Sequence, residues 1–205
     1  MTRDRQRFRA VVWAPLLLML LHACTPDYTP KPLGYLRIDL PEHRFQRLDR
    51  TCPFSFEYSD HATILTNPRH RNNPCWFDIV YPRFRAAVHL TYAPLEDNLH
   101  EHIEDVHSLA MKHIAKADDI DDRIVYRDTA SVYGITYDFE GSTASNYQFF
   151  LTDSTDHFVR GALYFNFAPN PDSIAPVMAF VKEDLQHLIR TFRWQASAPD
   201  AATRL

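Results

Sequence analysis

Asp153, Ser154, His157 and Arg160 fall within one short stretch. An aspartate, a serine and a histidine together are the parts of an orienter, a nucleophile and a base. Side chains this close along a turn rarely line up in that order, and no oxyanion donor accompanies them. Hydrogen bonds from Asp153 and Ser154 to their own turn account for the same residue types at less cost. What the stretch offers instead is a candidate interaction surface. Asp153, His157 and Arg160 stand at or just beyond a hairpin turn, with Thr143 and Ser145 in the small-residue turn that precedes it. On an ideal strand His157 and Arg160 point to opposite faces. A cation among so many aromatics needs an acid such as Asp153 or a ring such as that of Tyr164.

The other constellation is His100, Glu104 and His107, spaced i, i+4, i+7. On a helix that puts two imidazoles and a carboxylate on one side, which is zinc-ligand chemistry. The row borders an apolar stripe, where polar residues belong anyway, and His102 and His113 show histidine to be common here. A solvated boundary is the expectation, with no metal. The chain contains no G-x-S-x-G, H-E-x-x-H or C-x-x-C, and its four glycines are isolated. No catalytic residue and no cofactor is expected.

The three cysteines carry different chemistry. Arg3, Arg5, Arg7 and Arg9 precede an apolar run over residues 10–21, too short to span a bilayer as a helix. The run ends in Leu21-His22-Ala23-Cys24, which resembles a bacterial lipoprotein signal. Only a thiol can take the diacylglyceryl group, so Cys24 is the expected lipidation site. His22 departs from the usual small residue there; an ordinary secretory signal or a short membrane anchor are the alternatives. Several palmitate-like chains, at about 0.8 kcal/mol per buried CH₂, hold a protein on a membrane essentially permanently. The remaining pair, Cys52 and Cys75, reads first as a disulfide in an exported protein, and otherwise as two buried thiols.

The formal charge of −4 includes a leader with four arginines and one aspartate, +3, so the remainder carries −7. An acidic domain without a basic stripe excludes nucleic acid as a partner and electrostatic attachment to anionic lipid. Residues 1–23 are thus expected to be a signal peptide and 24–33 a proline-rich tether. Residues 34–194 are expected to be a single domain and 195–205 a flexible tail.

The elements that must position these side chains follow from periodicity. Residues 146–167 are rich in aromatic and β-branched types, broken only by Asp153-Ser154-Thr155-Asp156. That predicts two strands around a polar turn, bulky on both faces, and therefore the middle of a sheet. Further strands are predicted over 34–41, 51–58, 75–81, 84–92, 123–127 and 131–140. Between them, Leu99, Ile103, Val106, Ala110, Ile114 and Ala117 recur at steps of three and four, predicting a helix over 98–117. Residues 67–74 read as a surface loop. A second helix, capped by Asp172 or Ser173 and with Pro176 in its first turn, is predicted to about 193 and to bury Val177, Val181, Leu185, Leu188 and Phe192. The fold class is α+β, an antiparallel β-sheet packed by two helices. Its order resembles the α/β/α sandwich of PsbP-like and Mog1-like proteins. Among exposed aromatics, Tyr28, Tyr35 and Trp76 are open to a partner or glycan, with packing favoured for Trp76.

Long stretches of the chain resemble the GldD family of gliding-motility lipoproteins of Bacteroidetes-type bacteria. They are K-P-L-G-Y-L-R-I-D-L-P (31–41), C-P-F-S-F-E-Y (52–58), P-C-W-F-D-I (74–79), G-S-T-A-S-N-Y-Q-F-F-L-T-D-S-T-D-H-F-V-R-G-A-L-Y-F-N (141–166) and P-N-P-D-S-I-A-P-V (169–177). The resemblance implies a lipoprotein held in the cell envelope by its anchor, needed for gliding and linked to the gliding and type IX secretion proteins. It carries no catalytic residues across. A single acid after Cys24, Asp27, favours a domain facing the periplasm. Two functions follow as expectations: a non-enzymatic assembly or stabilising component of that machinery, or an envelope glycan-binding or hydrolytic lipoprotein. A flat apolar patch near the hairpin turn favours the first; a concave pocket uniting Asp153, His157 and Arg160 favours the second.

Overall fold

The computed structural model describes residues 38–66, 73–113, 116–166 and 171–195. The leader, Cys24, the tether, Tyr28, Tyr35, Ile114 and residues 196–205 lie outside the described residues, as does most of the 67–74 loop. The elements in chain order are β1 (Phe45–Arg47), β2 (Phe54–Ser55), β3 (Glu57–Ser59), β4 (Thr63–Leu65), β5 (Phe77–Tyr81) and β6 (Ala86–Pro94). Helix α1 (Leu99–Met111) precedes β7 (Ala117–Arg127), β8 (Val132–Gly141), β9 (Tyr147–Thr152) and β10 (His157–Phe165). Helix α2 (Pro171–Thr191) and a short β11 (Arg193–Trp194) close the described chain.

Seven strands form one antiparallel sheet in the order β4-β5-β6-β10-β9-β8-β7. The hairpin expected at the centre is there, and β10 is the middle strand. Its alternation sorts side chains between two cores. Val159 and Leu163 enter the larger one with α2, while Phe158 enters the smaller one with α1. Helices therefore cover opposite faces of the sheet, and the α+β expectation holds with an α/β/α layering. Gly161 has a packing reason: a Cβ there would stand 2.3 Å from the ring of Phe149, which crosses β10 at that point.

All five residues predicted for the second helix are buried, Val177, Val181, Leu185 and Leu188 within α2 and Phe192 just past its end. Helix α2 begins at Pro171, earlier than the predicted cap, so Asp172 and Ser173 lie inside its first turn and Pro176 inside the helix. Helix α1 stops at Met111, with Lys112 as its C-cap, and Ala117 opens β7 instead of closing the helix. Asp119, Asp121 and Asp122 are thus strand, paired with Glu140, Asp138 and Tyr137 of β8, and Asp118 sits in a bulge of the pairing. At the front of the domain no strand occupies 38–41. Residues 51–58 are divided between β2 and β3, which pair with β11 and β1 in two small ribbons outside the main sheet.

Cys52 and Cys75 are bonded, with Cα atoms 5.7 Å apart and a sequence separation of 23. The bridge ties the approach to β2 to the approach to β5, on the face that α2 covers. Closing a loop of that length contributes about 3 kcal/mol in the chain-entropy account.

Candidate interaction surface

The β9–β10 turn is held by its own side chains. Asp153 Oδ1 accepts hydrogen bonds from the backbone N–H groups of Thr155 (3.0 Å), Asp156 (2.9 Å) and His157 (2.9 Å). Thr152 Oγ1 accepts from Ser154 N–H (2.9 Å) and donates to the His157 carbonyl (2.8 Å). Ser154 takes the left-handed conformation, φ 73°, that the turn requires. Burial alone would raise the Asp153 carboxyl, but the three N–H donors and the neighbouring His157 outweigh it and hold the pKa below its ordinary value. The carboxylate is a structural clasp of the turn.

His157 is bound by different groups. Its Nδ1 meets the Tyr92 hydroxyl at 2.9 Å, and its ring stacks on Trp194 with centroids 5.2 Å apart. Burial, then the charges of Asp153 and Asp156, push the Tyr92 phenol up, so it stays protonated at neutral pH. Trp194 Nε1 donates to the Ser131 carbonyl at 2.8 Å, and Trp76 Nε1 donates to the Tyr92 carbonyl. Tyr92, His157, Trp194 and Trp76 are all half-buried. They make a ledge of rings beside the turn, each fixed by a named bond. Leu95 N–H donates to the Asp156 carbonyl at 2.9 Å, which ties the turn to the entry of α1.

The same end of the sheet carries an apolar patch on its other face. Ile124 is 79% exposed and Tyr126 is 70% exposed, the highest values among the large apolar residues described. Both lie on β7, which has β8 on one side and no described strand on the other. Tyr126 packs on Tyr133 with centroids 5.4 Å apart, and Tyr133 sits opposite Thr152, the residue before the turn. Scattered exposed leucines need no explanation, but adjacent isoleucine and tyrosine on an open sheet edge do.

The predicted surface residues part company. Asp153 and His157 are at the turn as expected. Arg160 is on the opposite face of β10 from His157, half-buried, and neither of its predicted partners holds it. Its Nη2 donates to Oε1 of the fully buried Gln148 at 3.2 Å, a bond across the β9–β10 pair. Arg160 shares its face of β10 with Phe158, which packs under α1, and burial followed by the charge of Arg160 lowers the pKa of His113. It belongs to the interior under α1. Thr143 and Ser145 are 0% exposed and cannot present side chains to a partner. Thr143 Oγ1 donates to the Ser145 carbonyl (3.3 Å), and Asn146 Nδ2 donates to the Phe139 and Gly141 carbonyls (both 3.1 Å), so this loop folds inward. Small hydroxyls fit there where a larger polar group could not.

On α1, His100 Nε2 pairs with Glu104 Oε1 at 3.1 Å in solvent, and His107 lies against Tyr137. Among the described residues no three histidine, cysteine or carboxylate side chains gather as a metal site. A cleft of about 390 Å³ opens at the far end of the sheet, between α2, strands β7 and β8 and the β8–β9 loop. Its lining includes Phe139, Asn146, Met178 and Lys182, and none of Asp153, His157 and Arg160.

The sequence profile described as gliding motility lipoprotein GldD matches residues 25–194. The chain belongs to that family. As a GldD-family protein it is a gliding-motility lipoprotein of the cell envelope. No curated protein matches it. The solution structure of cyanobacterial PsbP (CyanoP) from Synechocystis sp. PCC 6803 is similar over 80% of this chain and 99% of that one, at 12% identity and a TM-score of 0.39. A likeness at that level carries no functional argument. The GldD match spans the hairpin, the ring ledge and β7. Tyr92, Ile124, Tyr126 and Trp194 are the surface residues that sequence reasoning passed over. The apolar 124–126 run was legible as strand, but only its place at the sheet edge exposes it.

Proposed function

We propose that the protein is a non-enzymatic assembly or stabilising component of the gliding and type IX secretion machinery, anchored through lipid on Cys24 with its domain facing the periplasm. Its working surface is the end of the sheet that holds the β9–β10 turn, the ring ledge and the β7 patch. The observation that carries this reading is the exposure of Ile124 and Tyr126 at the end of the sheet whose other face carries a ledge of rings already fixed in place. Pre-ordered aromatic groups lose little entropy on docking, and such groups dominate the energetics of protein interfaces. The competing reading, an envelope glycan-binding or hydrolytic lipoprotein, requires Asp153, His157 and Arg160 in one concave site. Arg160 faces the other way, and the Asp153 carboxylate is committed to the turn.

The test is recovery of the lipidated chain from chemically crosslinked envelopes. Gliding or secretion proteins are expected to come with the natural chain and to be lost with Ile124→Ser/Tyr126→Ser at equal membrane level. Equal recovery with both chains would overturn the assignment of this surface.

A further inference from the structure

Strand β7 is the longest in the sheet, eleven residues, and it stands at the edge. The opposite edge, β4, has three. Folded proteins usually keep edge strands short, because unpaired backbone N–H and C=O groups recruit other chains. Register sorts the side chains of β7 by face. Ile120, Asp122, Ile124 and Tyr126 lie opposite Phe139, Tyr137, Ile135 and Tyr133, towards the α1 side. Asp119, Asp121 and Arg123 lie towards the α2 side.

Charge along the edge is one-sided. Asp118, Asp119, Asp121 and Asp122 crowd the first half and are all exposed. The two cations of the strand do not balance them. Arg123 is clasped by Asp121 at 2.5 and 2.9 Å. Arg127 points inward and donates to the carbonyls of Ile189 and Phe192 at the end of α2. Aspartates alone would serve to repel strangers from an edge, but the second half leaves Ile124 and Tyr126 open, which defeats that purpose.

We infer that β7 receives an extended segment of a partner protein as an eighth strand. Backbone pairing would supply the affinity and side chains the selection. The segment carries Lys or Arg where it passes Asp119 to Asp122, and apolar side chains where it passes Ile124 and Tyr126. This deepens the proposed function and rests on it, naming how the partner docks and what chemistry it presents.

The test uses the full lipidated chain in envelopes with a photo-crosslinking amino acid at position 126. The inference expects a product whose crosslinked partner segment carries Lys or Arg. It also expects Asp119→Lys/Asp122→Lys to lower the yield at least tenfold. In the purified complex, amide exchange should slow at least tenfold at alternate residues of β7. A product at position 126 without slowed exchange in β7, or indifferent to the charge reversal, leaves the docking surface standing and overturns strand addition. No product at position 126 overturns both.

Discussion

The two faces of the sheet differ in how completely they are closed. Under α2 the apolar cluster is continuous from Phe54 and Phe56 through β5, β6, β9 and β10 to Phe192, and a disulfide secures its margin. Under α1 the cluster is small, the helix has only 13 residues, and the Arg160–Gln148 pair stands on the same face of β9 and β10 as Phe150 and Phe158. Beyond the reach of α1, Ile124 and Tyr126 stay in solvent. Both faces come from the same seven strands, so hydrophobicity alone does not decide which is sealed; helix length and placement do. The closed face holds the domain together, and the apolar groups that the open face fails to bury are free for a partner.

That contrast can be broken by core truncation. Phe192 is 0% exposed and packs on Phe54, Phe56 and Trp194. Phe192→Ala should cost about 3–5 kcal/mol in denaturant unfolding. Phe158→Ala under α1 should fall at or below the lower end of that range. Equal losses would mean the two faces are equally closed.

Replacing both members of the disulfide, Cys52→Ser/Cys75→Ser, should lower stability by about 3 kcal/mol. Position 126 lies on β7, five strands across the sheet from β5, which Cys75 precedes. Binding through the β7 patch should therefore survive at temperatures where the double variant remains folded, as partner crosslinking would report.

A smaller effect sharpens the role of the turn. Asp153→Ala removes an acceptor from three backbone donors and should cost roughly 1–3 kcal/mol at neutral pH. The folded-state pKa of Asp153 is lowered, so its contribution is complete above the ordinary carboxylate value of 3.8 and is lost as pH falls through the lowered value. The stability gap between the two chains should then be constant at neutral pH and close only in acid below that value. A gap that closes between pH 5 and 7 would show another group to be responsible.

Much of this was legible in the sequence, for reasons that also explain the failures. The central hairpin declared itself because 147–152 and 157–165 are bulky at both parities, as only a strand covered on both faces needs to be. Helix α2 was readable because its apolar steps end in a run that the core accepts without exception. The start of β7 was misread because Ala117 continues the helical spacing of Ala110 and Ile114, while the aspartates after it erase the strand alternation. Edge strands bathed on both faces leave no such alternation to find. Thr143 and Ser145 look like surface in any sequence, since what buries them is the inward fold of their own loop. The partner of Arg160 depends on cross-strand register, which places Gln148 diagonally opposite it.

The most direct test is the double variant Ile124→Ser/Tyr126→Ser, assayed for melting midpoint as purified protein and for gliding in cells that carry it as their only copy. Both side chains are largely in solvent, so stability should change by no more than about 0.5 kcal/mol. The expected result is an unchanged midpoint, a normal amount of protein in the envelope, and lost gliding. Normal gliding at normal stability would contradict it.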